Sequence, residues 1–187
     1  GSEHITADVA IGLRCPINLA ERIKLEYGSS LSAKYTKKDE VDVSELAKEE
    51  NVSEENLVVS KKYVAEIIEA RVEEIFDKID GELKKIDRSG MLPAGVFLIG
   101  GGAKLADIVE TAKNRLRLPA SLGANKNVAL AIDKVNDINY LTALGLAVWG
   151  HQLTGRGKKN FKLNSRLGGA AGRGLEKIKG WFKSLIP

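Results

Sequence analysis

The chain has 187 residues, enough for one domain with a hydrophobic core or for two small ones. Its 43% hydrophobic and 29% charged residues are ordinary for a globular protein, and no apolar run approaches the roughly 20 residues of a membrane-spanning helix. The single cysteine, Cys15, excludes an intrachain disulfide. The net charge of +4 is uneven, because residues 154–187 contain nine basic residues and one acidic residue. Such a tail predicts contact with nucleic acid or an anionic membrane.

Two helices are predicted near the N-terminus. Thr6 is a suitable N-cap for a short helix that ends at Leu13. Pro16 and Gly28 bound a second helix, because proline favours the first turn of a helix and glycine favours its end.

Two short strands and a long helix follow. The strands are predicted near residues 41–43 and 57–59, and Ser60 is the predicted cap of the helix. Apolar residues recur along this helix at helical spacing: Val64, Ile67, Ile68, Val72, Ile75, Ile79, Leu83 and Ile86.

A strand, a glycine turn and a helix occur in that order after residue 94. Residues 95–99 predict a buried strand and residues 105–116 a helix, followed by a short strand at Ala120–Leu122. Residues 138–152 predict an apolar helix. This order predicts an α/β fold.

Gly100, Gly101 and Gly102 occupy the predicted junction between strand and helix. Glycines there let backbone N–H groups approach an anion, and the helix N-terminus adds partial positive charge. The spacing matches neither G-x-G-x-x-G nor the P-loop, so dinucleotide and Walker sites are poorly supported. A tight turn without a ligand is the alternative explanation.

The stretch LAERIKLEYG places Glu21 and Lys24 three residues apart, and hence on one face of the second helix. This face is opposite the apolar stripe that contains Ala20 and Ile23, and a solvated ion pair is its ordinary explanation. Followed by a strand, glycines and a helix, however, the stretch resembles the actin and heat-shock-chaperone ATPase superfamily. In that superfamily a Glu-x-x-Lys helix packs against adenine and ribose, and a Gly-Gly-(Gly/Ser) loop closes over the same nucleoside.

Within that superfamily, the chain resembles the FtsA family of bacterial cell-division proteins. The resemblance is carried by GSEHITADVAIGL, AERIKLEYG, IIEARVEEIF, GVFLIGGGAKLADIVETAKNRL and NYLTALGLAVWG. It extends over nearly the whole chain and ends in a linker and a terminal amphipathic helix, which distinguish this family from other actin-like ATPases. Gly1 and Ser2 stand where the family has two glycines.

The resemblance implies the C-terminal half of such a protein, with a partial actin-like (ribonuclease H-like) ATPase domain. Residues 1–28 and 93–153 would form the two parts of a nucleotide-binding subdomain, and residues 29–92 a smaller α+β subdomain that binds a partner. Residues 154–173 would be a flexible basic linker, and residues 174–187 a membrane-targeting amphipathic helix.

The resemblance also implies an ATP site. Its candidates are Glu21, Lys24, Gly100, Gly101, Gly102, Ala103 and Leu105. In the family, the residues that hold the phosphates and Mg²⁺ would lie before Gly1. We therefore expect this chain alone to bind nucleotide weakly and not to hydrolyse ATP, and we assign no catalytic residue and no metal ligand.

The chain closes with GLEKIKGWFKSLIP, whose pattern is typical of a helix lying in a membrane interface. The membrane-binding candidates are Leu175, Ile178, Trp181, Phe182, Leu185 and Ile186 on the apolar arc, with Lys177, Lys179 and Lys183 beside it. A helix docked on the domain and a nucleic-acid-binding arm are the alternatives. The long Gly/basic linker disfavours the first, and the apolar arc disfavours the second, because phosphate contacts need no apolar face.

Arg71 lies within the apolar register of the long helix, on a turn rich in glutamates. In FtsA-like proteins the smaller subdomain binds the C-terminal peptide of the tubulin-like protein FtsZ. The resemblance therefore implies Arg71 as a peptide contact, with Lys61 and Lys62 as weaker candidates. A local ion pair with Glu73 or Glu74 is the alternative.

Taken whole, the resemblance implies a cell-division adaptor. Such a protein binds ATP, self-associates into actin-like filaments and tethers FtsZ to the inner face of the cytoplasmic membrane at the septum. The alternatives are another actin-like ATPase, of pilus-assembly or chaperone type, and a basic-tailed nucleic-acid-binding module. The terminal apolar arc favours the adaptor, for which we expect no nucleic-acid partner.

Overall fold

The computed structural model describes residues 1–52, 57–126, 128–129 and 132–156. The chain divides into two compact units, Gly1–Leu144 and Gly145–Pro187. In the second unit the described residues are 145–156, which belong to the last helix.

The described residues form a mixed α/β fold of helices and two small sheets. The helices are α1 Ser2–Leu13, α2 Ile17–Tyr27, α3 Ser44–Glu49, α4 Lys61–Lys85, α5 Ile108–Leu116 and α6 Leu141–Arg156. The strands are β1 Glu40–Asp42, β2 Val58–Ser60, β3 Val96–Leu98 and β4 Ala120–Leu122. Strands β1 and β2 are antiparallel, with Val41 opposite Val59, whereas β3 and β4 are parallel, with Val96 beside Ala120.

Several element boundaries agree with the sequence patterns. Pro16 and Gly28 flank α2 as its two caps. The side chain of Ser60 caps α4 by accepting a hydrogen bond from the Tyr63 N–H. Strand β4 occupies the predicted residues, and β1 and β2 lie within one residue of theirs.

Helix α4 carries much of the core of the first unit. Its fully buried side chains advance by one turn at a time, through Val64, Ile68 and Val72. Beyond that point the predicted stripe is only partly correct: Leu83 packs against the core, but Phe76 is 3% exposed whereas Ile79 is 38% exposed. A row at four-residue spacing drifts slowly around a helix of 3.6 residues per turn, and here the core follows that row.

The first helix begins earlier than its cap signal predicts. Helix α1 starts at Ser2, so Thr6 lies inside it and is not the N-cap. The Thr6 hydroxyl is hydrogen-bonded to side chains of α2, which explains a polar β-branched residue in a helix interior. Tertiary hydrogen bonding thus accounts for a residue that local sequence would place at a cap.

Two predictions around the glycines need correction. The helix predicted from residue 105 begins at Ile108, because Asp107 has a φ of 63° and interrupts the helical backbone. The strand predicted as buried is covered on one face only, and there partly: Val96 and Leu98 are partly buried against the core, whereas Phe97 is 64% exposed. This is the side-chain alternation of a strand covered on one side.

Helix α6 continues to Arg156, past the predicted start of the linker at residue 154. Among the described helices, none combines the length and apolar character needed to cross a bilayer.

Candidate functional site

Lys24 is a buried cation at the interface of α1 and α2. It is 5% exposed, and its ammonium group donates hydrogen bonds to Glu21 at 2.6 Å, Thr6 at 2.8 Å and Ser2 at 3.0 Å. The Thr6 hydroxyl also bonds to the Glu21 carboxylate. Because an ammonium group has three donors, all of them are satisfied inside the protein. Lys24 is therefore not a solvated cation, although the side chain of its partner Glu21 is 43% exposed.

The Glu21 carboxylate is the counter-charge of this lysine. Burial raises the pKa of Glu21, but hydrogen bonds from Lys24 and Thr6 outweigh it, and the pKa lies below its ordinary value. Glu21 is therefore ionised at neutral pH and holds the Lys24 ammonium in place.

The glycine loop lies between β3 and α5. Gly100 has a φ of 89°, which favours glycine, and the residues Gly101–Lys104 form a 3₁₀ turn. A Cβ built on Gly101 would meet no atom closer than 3.4 Å, and one on Gly102 none closer than 3.9 Å. The fold therefore requires glycine at Gly100, whereas the next two positions have space for a side chain.

A pocket of about 160 Å³ lies between α1, α2 and the glycine loop. It is lined by Ser2, Ile5, Lys24, Leu25, Glu26, Gly28, Gly101, Gly102, Lys104, Leu105 and Ala106. Of the predicted nucleotide-binding residues, it brings together Lys24, Gly101, Gly102 and Leu105. Glu21 does not line the pocket but is hydrogen-bonded to Lys24, which does. Gly100 and Ala103 belong to the glycine loop and do not line the pocket.

The lining combines apolar and polar groups. Ile5, Leu25 and Leu105 supply apolar surface, and two lysines and glycine backbone supply polar groups. The volume is below the roughly 300–1,000 Å³ of typical small-molecule sites, so the pocket has room for a group the size of one or two small rings rather than for a larger ligand. Within the described part of the chain, no cluster of three or more His, Cys, Asp or Glu side chains is placed to hold a metal ion.

Sequence reasoning missed several residues that line this pocket or contact its lysine. Ser2 and Thr6 lie in the quoted stretch GSEHIT but attracted no site assignment, and Lys104 follows the glycines directly. Gly28 was assigned only as a helix end. A Cβ there would lie 2.3 Å from the Lys24 carbonyl oxygen and 2.8 Å from Ile68 Cδ1, so glycine also permits close packing of the pocket wall.

The partner-binding candidate Arg71 is engaged within the protein. Its guanidinium group forms a two-point contact with Asp8 on α1 and an ion pair with Glu74 at 2.6 Å. The local ion pair is thus confirmed for Glu74, and Asp8 is a partner that the sequence did not predict. Lys61 lies over the Tyr27 ring, 5.5 Å from its centroid, and Lys62 is half-buried.

Replacing Arg71 with alanine is expected to destabilise the fold at neutral pH and much less in acid. The hydrogen bond from Arg71 lowers the pKa of Asp8. A carboxylate with a depressed folded-state pKa contributes stability above its unfolded-state pKa, about 3.9 for Asp, and loses it as the pH falls through the folded-state value. Urea unfolding at pH 7 and at successively lower pH values below 4 measures the difference between wild type and variant.

The control for Arg71→Ala is the same substitution in an Asp8→Asn background. The pH dependence of the difference in stability should then largely disappear. An undiminished dependence would show that Asp8 is not its origin.

The membrane-binding candidates lie outside the described residues. These are Leu175, Lys177, Ile178, Lys179, Trp181, Phe182, Lys183, Leu185 and Ile186. The remainder of the predicted linker, residues 157–173, lies outside them as well.

The fold and pocket define a mixed α/β protein with a glycine loop beside an ion pair of buried Lys24 and partly exposed Glu21. The family described as "Cell division protein FtsA" matches residues 1–145 of the chain. The chain therefore belongs to the FtsA family of cell-division proteins.

FtsA proteins of several bacteria are similar over nearly the whole chain. The cell division protein FtsA of Neisseria meningitidis serogroup B is 33% identical over 191 residues, which cover 98% of this chain and 44% of that protein. FtsA of Pseudomonas aeruginosa is 28% identical over 183 residues, covering 97% and 43%. FtsA of Escherichia coli K12 is 24% identical over 186 residues, covering 96% and 43%. The chain thus spans less than half the length of these relatives.

Proposed function

We propose that the pocket between α1, α2 and the glycine loop binds the adenosine part of ATP. The observation that supports this most directly is the meeting of Lys24, Gly101, Gly102 and Leu105 around one cavity. These residues come from segments about 80 positions apart in sequence, and the resemblance of both segments to nucleotide-binding motifs predicts their meeting.

We propose further that the chain acts within an FtsA-like adaptor with an actin-like fold. In this proposal, residues 1–28 and 93–153 form the nucleotide-binding subdomain and residues 29–92 the partner-binding one. ATP-dependent self-association forms a filament. Residues 174–187, which follow the basic segment 154–173, attach this filament to the cytoplasmic side of the membrane at the division site. Family membership and the sequence pattern of the tail support this proposal.

The partner is proposed to be the FtsZ C-terminal peptide, bound by the smaller subdomain. Arg71, Lys61 and Lys62 remain its candidate contacts. Arg71 already pairs with the carboxylates of Asp8 and Glu74, so a peptide carboxylate has to compete with two internal ones. Lys61 and Lys62, at the start of α4, are therefore the more available cations for an acidic peptide.

Calorimetric titration of the chain with adenosine, ATP and GTP tests the nucleotide proposal. Adenosine and ATP are expected to bind more weakly than about 1 µM, because the pocket is smaller than a typical ligand site. Their affinities should agree within about fivefold, since an exposed ion pair to phosphate is worth about 0–1 kcal/mol. Mg²⁺ should change these affinities little, because no Mg²⁺ ligand is assigned in this chain.

GTP is the matched control, because it has the same phosphates and a different base. It should bind more weakly than ATP if the base occupies the pocket. Equal binding of ATP and GTP with no binding of adenosine would instead indicate a site for phosphate and overturn the adenosine assignment.

A further inference from the structure

The segment that follows α2 is joined to the segment that precedes α5. Ser29 and Ala106 form a parallel β-bridge, and the Ser30 N–H donates to the Ala106 carbonyl at 3.0 Å. Their neighbours Gly28 and Leu105 line the pocket, as does Ala106 itself. This junction therefore sits directly behind two walls of the proposed adenosine pocket.

Asp107 adds a side-chain contact to this junction. Its carboxylate accepts a hydrogen bond from the Ser29 hydroxyl at 2.7 Å and pairs with Lys34 at 3.2 Å. Ser29 is fully buried, and its oxygen also accepts the Leu31 N–H at 3.1 Å. The hydrogen bond from Ser29 lowers the pKa of Asp107, so that its carboxylate is charged at neutral pH.

A second contact lies beside the first. The Ser30 and Thr111 hydroxyls are 2.9 Å apart, and Thr111 also donates to the Ser30 carbonyl at 2.8 Å. Both side chains are buried. Residues 78–81 positions apart are thus fastened by a clasp, which we define as Ser29, Ser30, Asp107 and Thr111.

We propose that Ser29 and Asp107 are positioning residues for the adenosine pocket, holding its Gly28 wall against its Leu105 wall. This inference rests on the proposed nucleotide function. The Gly28 wall is already fixed, because Gly28 packs closely on Lys24 and Ile68. The opposite wall is a 3₁₀ turn and a short connection, so its position depends more on the clasp. A wall held before binding spares the ligand the cost of ordering it.

The backbone of Asp107 supports a positioning role. Its φ of 63° is uncommon for a residue other than glycine, although aspartate adopts it more readily than most. Glycine would adopt this conformation without strain, but it offers no carboxylate to Ser29. Aspartate at this position therefore contributes the tether rather than the turn.

The test substitutes Asp107→Gly, which keeps the backbone conformation and removes the tether. Hydrogen exchange of the amides at residues 101–106 is expected to accelerate about tenfold or more without any nucleotide present, since local opening becomes easier. Adenosine affinity, measured by calorimetry, should fall about tenfold. Ser29→Ala should change exchange and affinity in the same direction. The effect of the double variant should be smaller than the sum of the two single effects, because both substitutions remove the same hydrogen bond.

Two controls separate positioning from general destabilisation. Asp107→Asn can still accept from Ser29 and tolerates the same φ, so exchange and affinity should stay near wild type. Asp77→Ala removes the contact of Asp77 with Arg115 of α5, at 2.6 Å, which involves no pocket residue. It should lower stability while leaving residues 101–106 and adenosine binding unchanged.

Each result has a distinct meaning. Unchanged exchange in Asp107→Gly would overturn the clasp, and faster exchange with unchanged affinity would overturn its link to the pocket. Failure of the wild type to bind adenosine would overturn the proposed function and the positioning role with it. That outcome is visible in the wild type alone and is separate from the exchange result.

Discussion

Replacing Lys24 with methionine is expected to lower adenosine affinity about tenfold and the free energy of unfolding by about 2 kcal/mol. Methionine has a similar length and no charge, so it leaves the packing of α2 on α1 largely intact. The loss of stability arises because the Lys24 ammonium group donates hydrogen bonds to Ser2, Thr6 and Glu21 at the same time. Glu21 is 43% exposed and regains water, which limits the cost.

The effect on binding follows from the geometry of the ammonium group. Its three donors are all in use, so a ligand hydroxyl has to replace one of the present acceptors. Ser2 makes the longest of the three contacts, at 3.0 Å, and it lines the pocket itself. We expect a ribose hydroxyl to displace the Ser2 hydroxyl. Methionine cannot donate to it.

Lys113→Met is the matched control, because Lys113 forms an exposed pair with Glu110 at 3.3 Å. Its stability should change by less than about 0.5 kcal/mol and its adenosine affinity not at all. In Lys24→Met, NMR titration should show the pKa of Glu21 rising, since burial would then act without the opposing hydrogen bond from Lys24. An unchanged affinity in a folded Lys24→Met chain would remove Lys24 from the nucleotide site.

Features set by a few adjacent residues were predictable from the sequence. Pro16 and Gly28 fixed the ends of α2, and Ser60 fixed the start of α4, because caps depend on backbone groups close by in the chain. The meeting of Lys24 with the glycine loop was accessible only through resemblance to known motifs. No periodicity within either segment specifies a contact across about 80 residues.

Side-chain contacts between distant segments were not predictable. Thr6 matches a cap signal, yet its hydroxyl is used by Glu21 and Lys24 of α2. Arg71 and Asp8 are 63 residues apart, and a charge within an apolar register does not reveal its partner. Asp107 has a positive φ, which the helical periodicity of the surrounding sequence does not predict. In each case a tertiary hydrogen bond overrides the local preference.

Replacing both Trp181 and Phe182 with glutamate is expected to abolish co-sedimentation of the chain with anionic vesicles. The sequence places these residues on the apolar arc of the last 14 positions. Fully burying a large apolar side chain contributes roughly 1.5–3 kcal/mol, and each basic residue near an anionic leaflet about 1 kcal/mol. The variant therefore loses two of the largest apolar contributions and adds two repelled charges.

A charge-matched control isolates the apolar contribution. Asn160→Glu combined with Asn164→Glu changes the net charge equally and removes no apolar side chain. This control should bind more weakly at low salt and approach the wild type as salt screens the added charges, whereas the Trp181/Phe182 variant should stay in solution throughout. If both variants lose binding equally and recover it equally with salt, the tail acts as a basic arm. The nucleic-acid alternative would then predict that the wild-type chain retards duplex DNA at physiological salt, with both variants weakened alike.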